Sequence, residues 1–535
     1  MSESKKFYVT TPIYYPSSDL HIGHTYTTVA ADTMNRFRKL LGYDSYFITG
    51  TDEHGQKIEK IALENNVKPQ QYVDKVVERI KKLWETMDVS YNQFIRTTDQ
   101  EHIKTIQGIF KKLYEQGDIY KGKYEGLYCT PCESFWTESQ APDGICPDCG
   151  RKLETASEEA YFFKMSKYAD RLLKHIEEHP DFIQPESRKN EMINNFIKPG
   201  LLDLCVSRTS FQWGVPVDFD PGHVVYVWID ALPNYLSALG YCNDKEDLMQ
   251  TYWPPDVQLV GKDIIRFHTI YWPIILMALD LPLPKKIYGH GWILLKEGKM
   301  SKSLGNVVDP LELVKKYSTD ALRYYILREM NFGGDVAYSE DLLISRINAD
   351  LANDLGNLLN RTTAMTVRYF KGQIPPDRQT EPMDQELIEL AKKLPDQVEA
   401  CMDQVDFAKA LEAIWKLVSR TNKYIDENQP WVLCKDPEKT KRLAAVLYHL
   451  SESLRFIGVL IGPFMPATGK KILNTLKVPE KYRSWESLLE FGVCPFEEKY
   501  EKCDPLFPRI EREKKPQTES NKKKETKVPE QQINY

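Results

Sequence analysis

The fold of this chain can be read outward from residues 7–50, FYVTTPIYYPSSDLHIGHTYTTVAADTMNRFRKLLGYDSYFITG. Residues 7–15 are rich in β-branched and aromatic side chains, residues 26–41 carry apolar side chains at helical spacing, and residues 45–50 again resemble a strand. A strand, a helix and a second strand form the unit of an open parallel sheet, whose ligands bind beyond the carboxyl ends of its strands. We therefore expect an α/β fold with a ligand site in the loop 16–24.

The length and composition of the chain exclude several classes of protein. Its 535 residues exceed what one hydrophobic core organises and suggest three or four units. Apolar residues make up 42% and charged residues 28%, which excludes disordered, collagen-like and coiled-coil classes. Because the formal net charge is -6, contact with a nucleic acid would depend on local basic patches.

The pattern of apolar residues changes along the chain. Strand-like runs return at 224–229, 257–260 and 286–295, with a helical segment at 264–279, and complete the predicted sheet. After about residue 345 helical periodicity dominates and predicts a helical bundle. We predict these segments: an α/β domain 1–116 and 156–298, an insertion 117–155, a connecting region 299–345, a helical domain 346–508 and a charged flexible tail 509–535.

Four of the ten cysteines form two C-x-x-C pairs inside the insertion. Four thiolates suit one tetrahedral zinc ion, and because they leave no open coordination position the predicted zinc is structural. The insertion has little apolar content and would need the metal to fold. The predicted ligands are Cys129, Cys132, Cys146 and Cys149; the six scattered cysteines, such as Cys205 and Cys401, are expected to be small buried hydrophobic residues.

The sequence also favours a cellular location. The N-terminal residues lack the apolar region of a signal peptide, and residues 274–279, the most hydrophobic run, are far too short to cross a membrane. We expect a soluble cytoplasmic protein with no membrane contact.

The tetrapeptide His21-Ile22-Gly23-His24 lies in the loop before the first helix. There the backbone N–H groups and the helix dipole favour a phosphate, and a glycine between two imidazoles allows a nucleotide to approach. Taken alone, this motif fits a solvated loop equally well.

A second motif, Lys299-Met300-Ser301-Lys302-Ser303, follows the Lys296-Glu297-Gly298 turn. A run of charges is usually a solvated surface. Together with the first motif, however, it resembles the signatures of class I aminoacyl-tRNA synthetases. The resemblance implies a Rossmann-like open parallel sheet catalytic domain (1–116 and 156–298) with an inserted zinc knuckle (117–155). It further implies a KMSKS loop and stem-contact region (299–345) and an all-α helical bundle that binds an anticodon (346–508).

The reaction that this resemblance implies is attack of an amino-acid carboxylate on the α-phosphorus of ATP, followed by acyl transfer to tRNA. Such displacement depends on positioning and on groups that stabilise growing negative charge, so we assign catalysis to His21, His24, Lys299 and Lys302. Magnesium would accompany ATP and its pyrophosphate product. The further implied ATP-binding residues are Gly23, Gly261, Asp263, Met300 and Ser301; Asp263 could instead cap the helix that begins at Ile264.

Local sequence separates the amino-acid specificities within the class. The chain has no room for the editing domain of the isoleucine, valine and leucine enzymes, and TPIYYPSSDLHIGH, GTDEHG, YVWIDALPNY and GKDIIRFH resemble methionyl-tRNA synthetases. The resemblance covers residues 6–505. It implies that Asp52 receives the methionine ammonium, although Asp52 could instead pair with Arg208, and that these residues form the methionine pocket: Ile13, Tyr15, Trp228, Ala231, Leu232, Tyr235, Ile264 and His268.

In the helical domain, the resemblance implies that Asn357, Arg361 and Trp431 read the anticodon of tRNA(Met). Asn357 and Arg361 are four residues apart on one helical face, and Trp431 offers a flat surface for an unstacked base, although it could be a core residue. We expect a monomer. The alternatives are a catalytically inactive synthetase-like RNA-binding or scaffold protein, and a small-molecule adenylyltransferase.

Overall fold

The computed structural model describes residues 4–130, 134–136, 141–147, 150–295, 298–299, 307–329 and 332–511. In these residues the strands are β1 Lys6–Tyr14, β2 Asp44–Thr51, β3 Gln93–Arg96, β4 Ile119–Cys129, β5 Ser134–Trp136, β6 Glu154–Phe163, β7 Ile183–Gln184, β8 Leu204–Cys205, β9 Ser207–Arg208, β10 Val224–Val225, β11 Val257–Gly261, β12 Ile287–His290, β13 Ile293–Leu295, β14 Gly298–Lys299 and β15 Val336–Ala337.

The α-helices in the same residues are α1 Ile22–Leu40, α2 Gln56–Glu64, α3 Pro69–Thr86, α4 Gln100–Glu115, α5 Ala169–Glu178, α6 Glu186–Met192, α7 Val227–Ala231, α8 Asn234–Ser237, α9 Met249–Tyr252, α10 Trp272–Ala278, α11 Pro310–Tyr317, α12 Thr319–Glu329, α13 Glu340–Arg346, α14 Asn357–Phe370, α15 Asp384–Asp403, α16 Phe407–Asn428, α17 Pro430–Leu433, α18 Thr440–Ile461 and α19 Pro466–Thr475. Segments Ile193–Ile197, Phe267–Tyr271 and Ile347–Gly356 are π-helical.

The central sheet confirms the predicted α/β architecture. Its strand order is β3-β2-β1-β11-β12-β7, and neighbouring strands are parallel. The chain runs outward from β1 to β3 on one side and from β11 to β12 on the other, so the direction reverses between β1 and β11; the edge strand β7 comes earlier in the sequence than β11. A crevice at such a reversal is where open α/β sheets bind ligands.

Successive side chains of β1 enter two different hydrophobic cores. Phe7 and Val9 face the core that continues into the helical domain, whereas Tyr8 faces a second core to which both halves of the catalytic domain contribute. This alternation with period two is the property of a strand buried on both faces.

Two of the predicted strands differ from the structure. Residues 224–229 form only the two-residue strand β10 before helix α7 begins at Val227, because a short apolar run fits a buried helix as well as a strand. The run 286–295 is split into β12 and β13 around Gly291, where an added Cβ would lie 2.1 Å from the carbonyl oxygen of Gly334. The backbone at Gly291 therefore approaches its neighbour too closely for any side chain.

The insertion is an antiparallel sheet of order β5-β4-β6-β8. Strand β4 pairs with β6 along ten residue pairs, from Ile119 opposite Phe163 to Tyr128 opposite Glu154. A small separate cluster of buried side chains lies at its far end and contains Cys129, Trp136 and Cys146.

The helical part confirms the predicted bundle, which α13 to α19 form. The segment Pro437–Ile461 is long and apolar enough to cross a membrane, with a mean hydropathy of 1.4, but its apolar window is wholly buried in the protein. It is therefore the central helix of the bundle core.

Arg323 of α12 joins the catalytic domain to the bundle. Its guanidinium is fully buried, lies 2.8 Å from the carboxylate of Asp32 on α1, and donates to the carbonyl oxygens of Pro463 and Phe464 beyond α18. A buried arginine needs such partners for each of its N–H groups, because an unpaired buried charge is costly.

Candidate active site

Helix α1 begins at the His21–His24 motif, four residues earlier than the sequence pattern suggested. His21 is its N-cap: the Nδ1 atom of His21 accepts the Gly23 N–H at 3.0 Å, and the Nδ1 atom of His24 accepts the His21 N–H at 3.1 Å. A Cβ on Gly23 would lie 2.8 Å from the His21 ring, so this position requires glycine. The sequence pattern missed this start because histidine is an unusual cap.

The same hydrogen bonds fix the chemistry of the two imidazoles. Because each Nδ1 accepts a hydrogen bond, the proton of each neutral ring is on Nε2. The Ile22 N–H donates to Val308 O at 3.3 Å and the Gly23 N–H to His21, so these backbone groups are already occupied. The backbone N–H groups that the sequence analysis expected to bind a phosphate are therefore bonded within the protein, whereas the imidazole rings stand at the positive end of the helix dipole.

A cavity of about 420 Å³ lies at the carboxyl ends of β1 and β11. The sequence analysis assigned residues to ATP and to methionine, and all of them whose side chains the structure describes line this cavity. They are Ile13, Tyr15, His21, Gly23, His24, Asp52, Trp228, Ala231, Leu232, Tyr235, Gly261, Asp263, Ile264 and His268. Residues up to 255 positions apart are thus brought to one crevice at the reversal of strand order.

Aromatic rings form one wall of the cavity. The rings of Trp228 and Phe267 are stacked with centroids 3.7 Å apart and planes 4° apart. Beside them the Tyr235 hydroxyl donates to Nε2 of His268 at 2.9 Å, and Nδ1 of His268 donates to Ile264 O at 3.0 Å. Burial lowers the pKa of His268 to about 4, so this imidazole is neutral at physiological pH. The wall is therefore apolar and uncharged.

The two residues that follow Asp52 have side chains held by contacts with other elements. The carboxylate of Glu53 accepts two hydrogen bonds from Arg96, at 2.7 and 2.9 Å, and is fully buried. Nδ1 of His54 lies 2.6 Å from Asp230. The alternative partner Arg208 packs its guanidinium over the ring of Tyr128, 4.1 Å from the centroid. The segment thus presents one carboxylate to the cavity at a fixed position.

The opposite end of the cavity carries groups suited to a nucleoside. A Cβ on Gly261 would lie 2.6 Å from the Asp263 carboxylate, and that carboxylate accepts a hydrogen bond from Trp292 Nε1 at 3.2 Å. Nearby, Nε2 of His290 lies 2.6 Å from the Thr27 hydroxyl on α1, and burial lowers the pKa of this histidine. The Asp263 side chain therefore accepts a hydrogen bond from Trp292 and also lines the cavity.

The second motif starts beside this cavity. The backbone of Lys299 belongs to β14, which pairs with β13 so that Lys299 lies opposite Leu294. Ile293, the residue before Leu294, lines the cavity. The side chain of Lys299 and the whole of Met300, Ser301 and Lys302 lie outside the described residues. Their assignment to ATP stays a prediction.

Sequence analysis missed several cavity residues, of which Lys57, Phe267, His290 and Trp292 bear most on its chemistry. Lys57 lies 5.2 Å from the Tyr15 ring centroid and adds a cation. Phe267 directly precedes His268 within GKDIIRFH. Because His268 was assigned to the methionine pocket, the sequence did contain a signal for Phe267. No local pattern in the sequence marks the other residues, because only the fold brings α2 and the end of β12 to the cavity.

Two of the four predicted metal ligands are described. Cys129 and Cys146 are buried in the cluster at the end of the insertion. Gly150, at φ 71°, donates its N–H to the Cys146 carbonyl at 2.8 Å. Cys132 and Cys149 lie outside the described residues. Buried thiols fit the donor set of a structural zinc site.

The scattered cysteines follow their prediction only in part. Cys205 and Cys494 are buried, whereas Cys401 and Cys503 are half-buried, and Cys242 and Cys434 are exposed. All six are free thiols. The default assignment of a lone cysteine to the core was therefore wrong for the two exposed positions, since local sequence does not determine burial.

One further group of metal-binding side chain types occurs in the described residues: Glu159, Asp220 and His223. The ammonium of Lys121 lies 2.8 Å from Glu159 and 2.7 Å from Asp220. Because this ammonium bridges the two carboxylates, the group is an ion-pair network.

The predicted anticodon residues lie on the helical bundle. Asn357 is exposed at the start of α14, and Arg361, one turn later, donates to Asp426 at the end of α16 at 2.8 Å. Trp431, just beyond α16, is 42% exposed. The alternative that Trp431 fills the core was therefore wrong.

Comparisons with known proteins agree with this geometry. The family described as tRNA synthetases class I (M) matches residues 7–158 and 149–363, and the anticodon binding domain of methionyl tRNA ligase matches residues 374–523. The chain is 61% identical to the methionine–tRNA ligase of Caldanaerobacter subterraneus subsp. tengcongensis, covering 99% of this chain and 83% of that relative. It is also 61% identical to that of Clostridium perfringens, covering 96% and 79%.

A solved structure is similar over almost the whole fold. The crystal structure of Mycobacterium tuberculosis methionyl-tRNA synthetase bound by methionyl-adenylate superposes with a TM-score of 0.90 at 40% identity, covering 94% of this chain and 100% of that one. Sequence families spanning both domains, close relatives and a shared fold thus lead to one assignment: this chain belongs to the class I methionyl-tRNA synthetases.

Proposed function

We propose that the cavity at the ends of β1 and β11 is where this methionyl-tRNA synthetase activates its amino acid. The chain joins L-methionine and ATP to form methionyl-adenylate and pyrophosphate, and then transfers the methionyl group to tRNA(Met). The observation that carries the assignment of the site is that His21, His24, Asp52 and Trp228 line one cavity although they come from separate elements.

In the first step, an oxygen of the methionine carboxylate attacks the α-phosphorus of ATP. A bond from oxygen to phosphorus forms, and the bond to the bridging oxygen of the β-phosphate breaks, so that pyrophosphate leaves with the electron pair. In the second step, a terminal hydroxyl of the tRNA attacks the acyl carbon and AMP leaves. Neither displacement requires a nucleophile from the protein.

The two imidazoles would act on the first step as neutral donors. Their Nε2–H groups are directed by the Nδ1 contacts within the α1 cap, so they need no reorganisation when negative charge grows on the phosphates. Loss of one such donor costs about 2.7–4 kcal/mol of transition-state stabilisation in comparable sites. Lys299 and Lys302 would add positive charge from the other side, and Met300 and Ser301 would contact the nucleotide.

For methionine, the Asp52 carboxylate would receive the ammonium and the stacked Trp228 and Phe267 rings would receive the thioether side chain. A thioether gains from both apolar burial and sulfur–aromatic contact, and the charged hydrogen bond fixes the amine. Ile13, Tyr15, Ala231, Leu232, Tyr235, Ile264 and His268 would complete the pocket.

ATP would bind with its phosphates at His21, Gly23 and His24 and its nucleoside at Gly261 and Asp263. A carboxylate suits the diol of a ribose as a hydrogen-bond acceptor. Magnesium would supply charge neutralisation for the phosphates and the pyrophosphate product.

The remaining partners follow from the other two parts of the chain. Cys129, Cys132, Cys146 and Cys149 would hold one zinc ion that stabilises the fold of the insertion. Asn357, Arg361 and Trp431 would read the anticodon, with the exposed indole as a stacking surface. We place the enzyme in the cytoplasm as a monomer; its free thiols support a reducing compartment.

Exchange of labelled pyrophosphate into ATP tests the activity with each of the twenty amino acids in turn. We expect exchange with methionine and none above background with the others. Exchange with a different amino acid would refute the methionine assignment, and the absence of exchange with all twenty would favour an inactive RNA-binding protein.

A further inference from the structure

The guanidinium of Arg266 lies among three aromatic rings from three separate elements. Its central carbon is 4.8 Å from the ring centroid of Trp136 on β5, 5.2 Å from that of Phe196 and 5.0 Å from that of Phe267. Each distance lies within the range of a cation–π contact. One side chain thus connects the insertion with the edge of the cavity.

On the cavity side, the contact continues through Phe267 to Trp228. The two rings are nearly parallel, with planes 4° apart and centroids 3.7 Å apart, and both line the cavity. The ring of Phe267 also makes a T-shaped contact with the ring of Tyr271, with centroids 5.1 Å apart. Because Arg266 and Tyr271 confine Phe267, they also determine where the Trp228 ring stands.

On the insertion side, the contact continues through Trp136 to the metal cysteines. Trp136 is 5% exposed and shares one buried cluster with Cys129 and Cys146. Because the Trp136 ring also contacts the Arg266 guanidinium, it is one of the side chains by which the tip of the insertion is attached to the catalytic domain. A displacement of Trp136 would therefore change the position of the Arg266 guanidinium.

We propose that Arg266 is a positioning residue for methionine. It holds Phe267 against Trp228 and ties this wall of the pocket to the fold of the cysteine-bearing insertion through Trp136. The role suits arginine, because a planar guanidinium can stack on several rings, whereas the ammonium of lysine is a strongly hydrated point charge. The proposal rests on the assignment of Trp228 to the methionine pocket.

The test is the dissociation constant for methionine, measured by equilibrium dialysis of labelled methionine against the full chain. We expect Arg266→Gln to weaken methionine binding about tenfold while the KM for ATP in pyrophosphate exchange changes less than twofold. Arg266→Lys should weaken binding about threefold. The matched control is Arg378→Gln, which removes a guanidinium 3.5 Å from the Tyr448 ring centroid in the helical domain and should leave methionine binding unchanged.

A double-mutant cycle separates the coupling to the insertion from the local effect. Trp136→Leu should weaken methionine binding, and Trp136→Leu combined with Arg266→Gln should bind methionine no more weakly than Arg266→Gln alone. Fully additive effects would overturn the connection through Trp136. If Arg266→Gln does not fold, as judged by its melting temperature, Arg266→Lys carries the test, and unchanged binding in that variant would overturn the proposal.

Failure of this inference can be distinguished from failure of the function. If the wild-type chain binds methionine and the Arg266 variants bind it equally well, the positioning role is refuted. That result would not contradict the proposed function. A wild-type chain that does not bind methionine would contradict the function itself.

Discussion

The Nδ1 atom of His54 lies 2.6 Å from the carboxylate of Asp230, and both side chains are buried. The other carboxylate oxygen of Asp230 lies 2.9 Å from Nε2 of His102. Burial acts to raise the pKa of Asp230, but the charges and hydrogen bonds of the two imidazoles outweigh it and lower the pKa, so Asp230 is ionised. Because Asp230 is on α7 and His54 follows Asp52 by two residues, this contact joins two walls of the proposed methionine pocket.

The first prediction concerns this arrangement. Asp52→Ala removes the charged acceptor for the methionine ammonium, a hydrogen bond worth about 1.5–3 kcal/mol, and should raise the KM for methionine about 10- to 150-fold in pyrophosphate exchange. Asp230→Asn should raise it less, because it only loosens the segment that carries Asp52. Asp19→Asn, which removes an exposed carboxylate paired with Arg79, is the control. An unaltered methionine KM in Asp52→Ala would reject the ammonium role.

The second prediction concerns acid stability. Burial lowers the pKa of both His268 and His449 from the ordinary 6.5 to about 4. Between these values the unfolded chain binds more protons than the folded chain, so the free energy of unfolding should fall as the pH drops from 6.5 towards 4. Each histidine contributes about 1.4 kcal/mol per pH unit. Urea unfolding at a series of pH values measures the slope.

The His449→Gln variant tests the source of that slope. His449 contacts the Tyr424 hydroxyl at 3.1 Å inside the helical bundle, outside the proposed active site. Its replacement should make the dependence of stability on pH shallower by the contribution of one histidine. The same slope in wild type and variant would show that His449 does not titrate in this way.

The third prediction separates charging from activation. Trp431→Ala removes the exposed stacking surface, worth about 1–3 kcal/mol per base, and should lower kcat/KM for charging of tRNA(Met) about 5- to 150-fold. Methionine-dependent pyrophosphate exchange should not change, since no tRNA takes part. Val432→Ala, at the neighbouring residue that is 45% exposed, controls for surface change. Normal charging by Trp431→Ala would remove this residue from the anticodon site.

The fourth prediction concerns the metal. We expect one zinc ion per chain by elemental analysis. Cys146→Ser should release it and lower the melting temperature, because the insertion has little apolar material to replace the metal. Cys434→Ser, at an exposed thiol of the helical bundle, should keep both the zinc content and the melting temperature. Equal zinc content in the two variants would contradict the assignment.

Much of this arrangement could be predicted from the sequence. Long elements with a clear period, such as α16 and α18, were predicted because their apolar faces repeat every three or four residues. The strands β1, β2 and β11 were predicted because short runs of apolar, β-branched and aromatic residues favour strands. The short edge strands β3 and β7 were not, since four polar-rich residues or two residues carry no period.

The site residues were predicted by family resemblance more than by local physics. Trp228 and His268 are separated by 40 positions in the sequence, and only the fold shows that their side chains meet in one cavity. The stack of Trp228 on Phe267 and the contact of Asp230 with His54 depend on side-chain packing between elements, for which one sequence offers no signal.

The central claim is that the Nε2–H groups of His21 and His24 stabilise the charge that grows as pyrophosphate leaves. The rate of methionine-dependent pyrophosphate exchange in His24→Asn tests it most directly, because asparagine can accept the His21 N–H as Nδ1 does but offers no Nε2–H. The account predicts a fall in kcat of about 100- to 1000-fold with the dissociation constant for methionine unchanged. A kcat within threefold of wild type would contradict it.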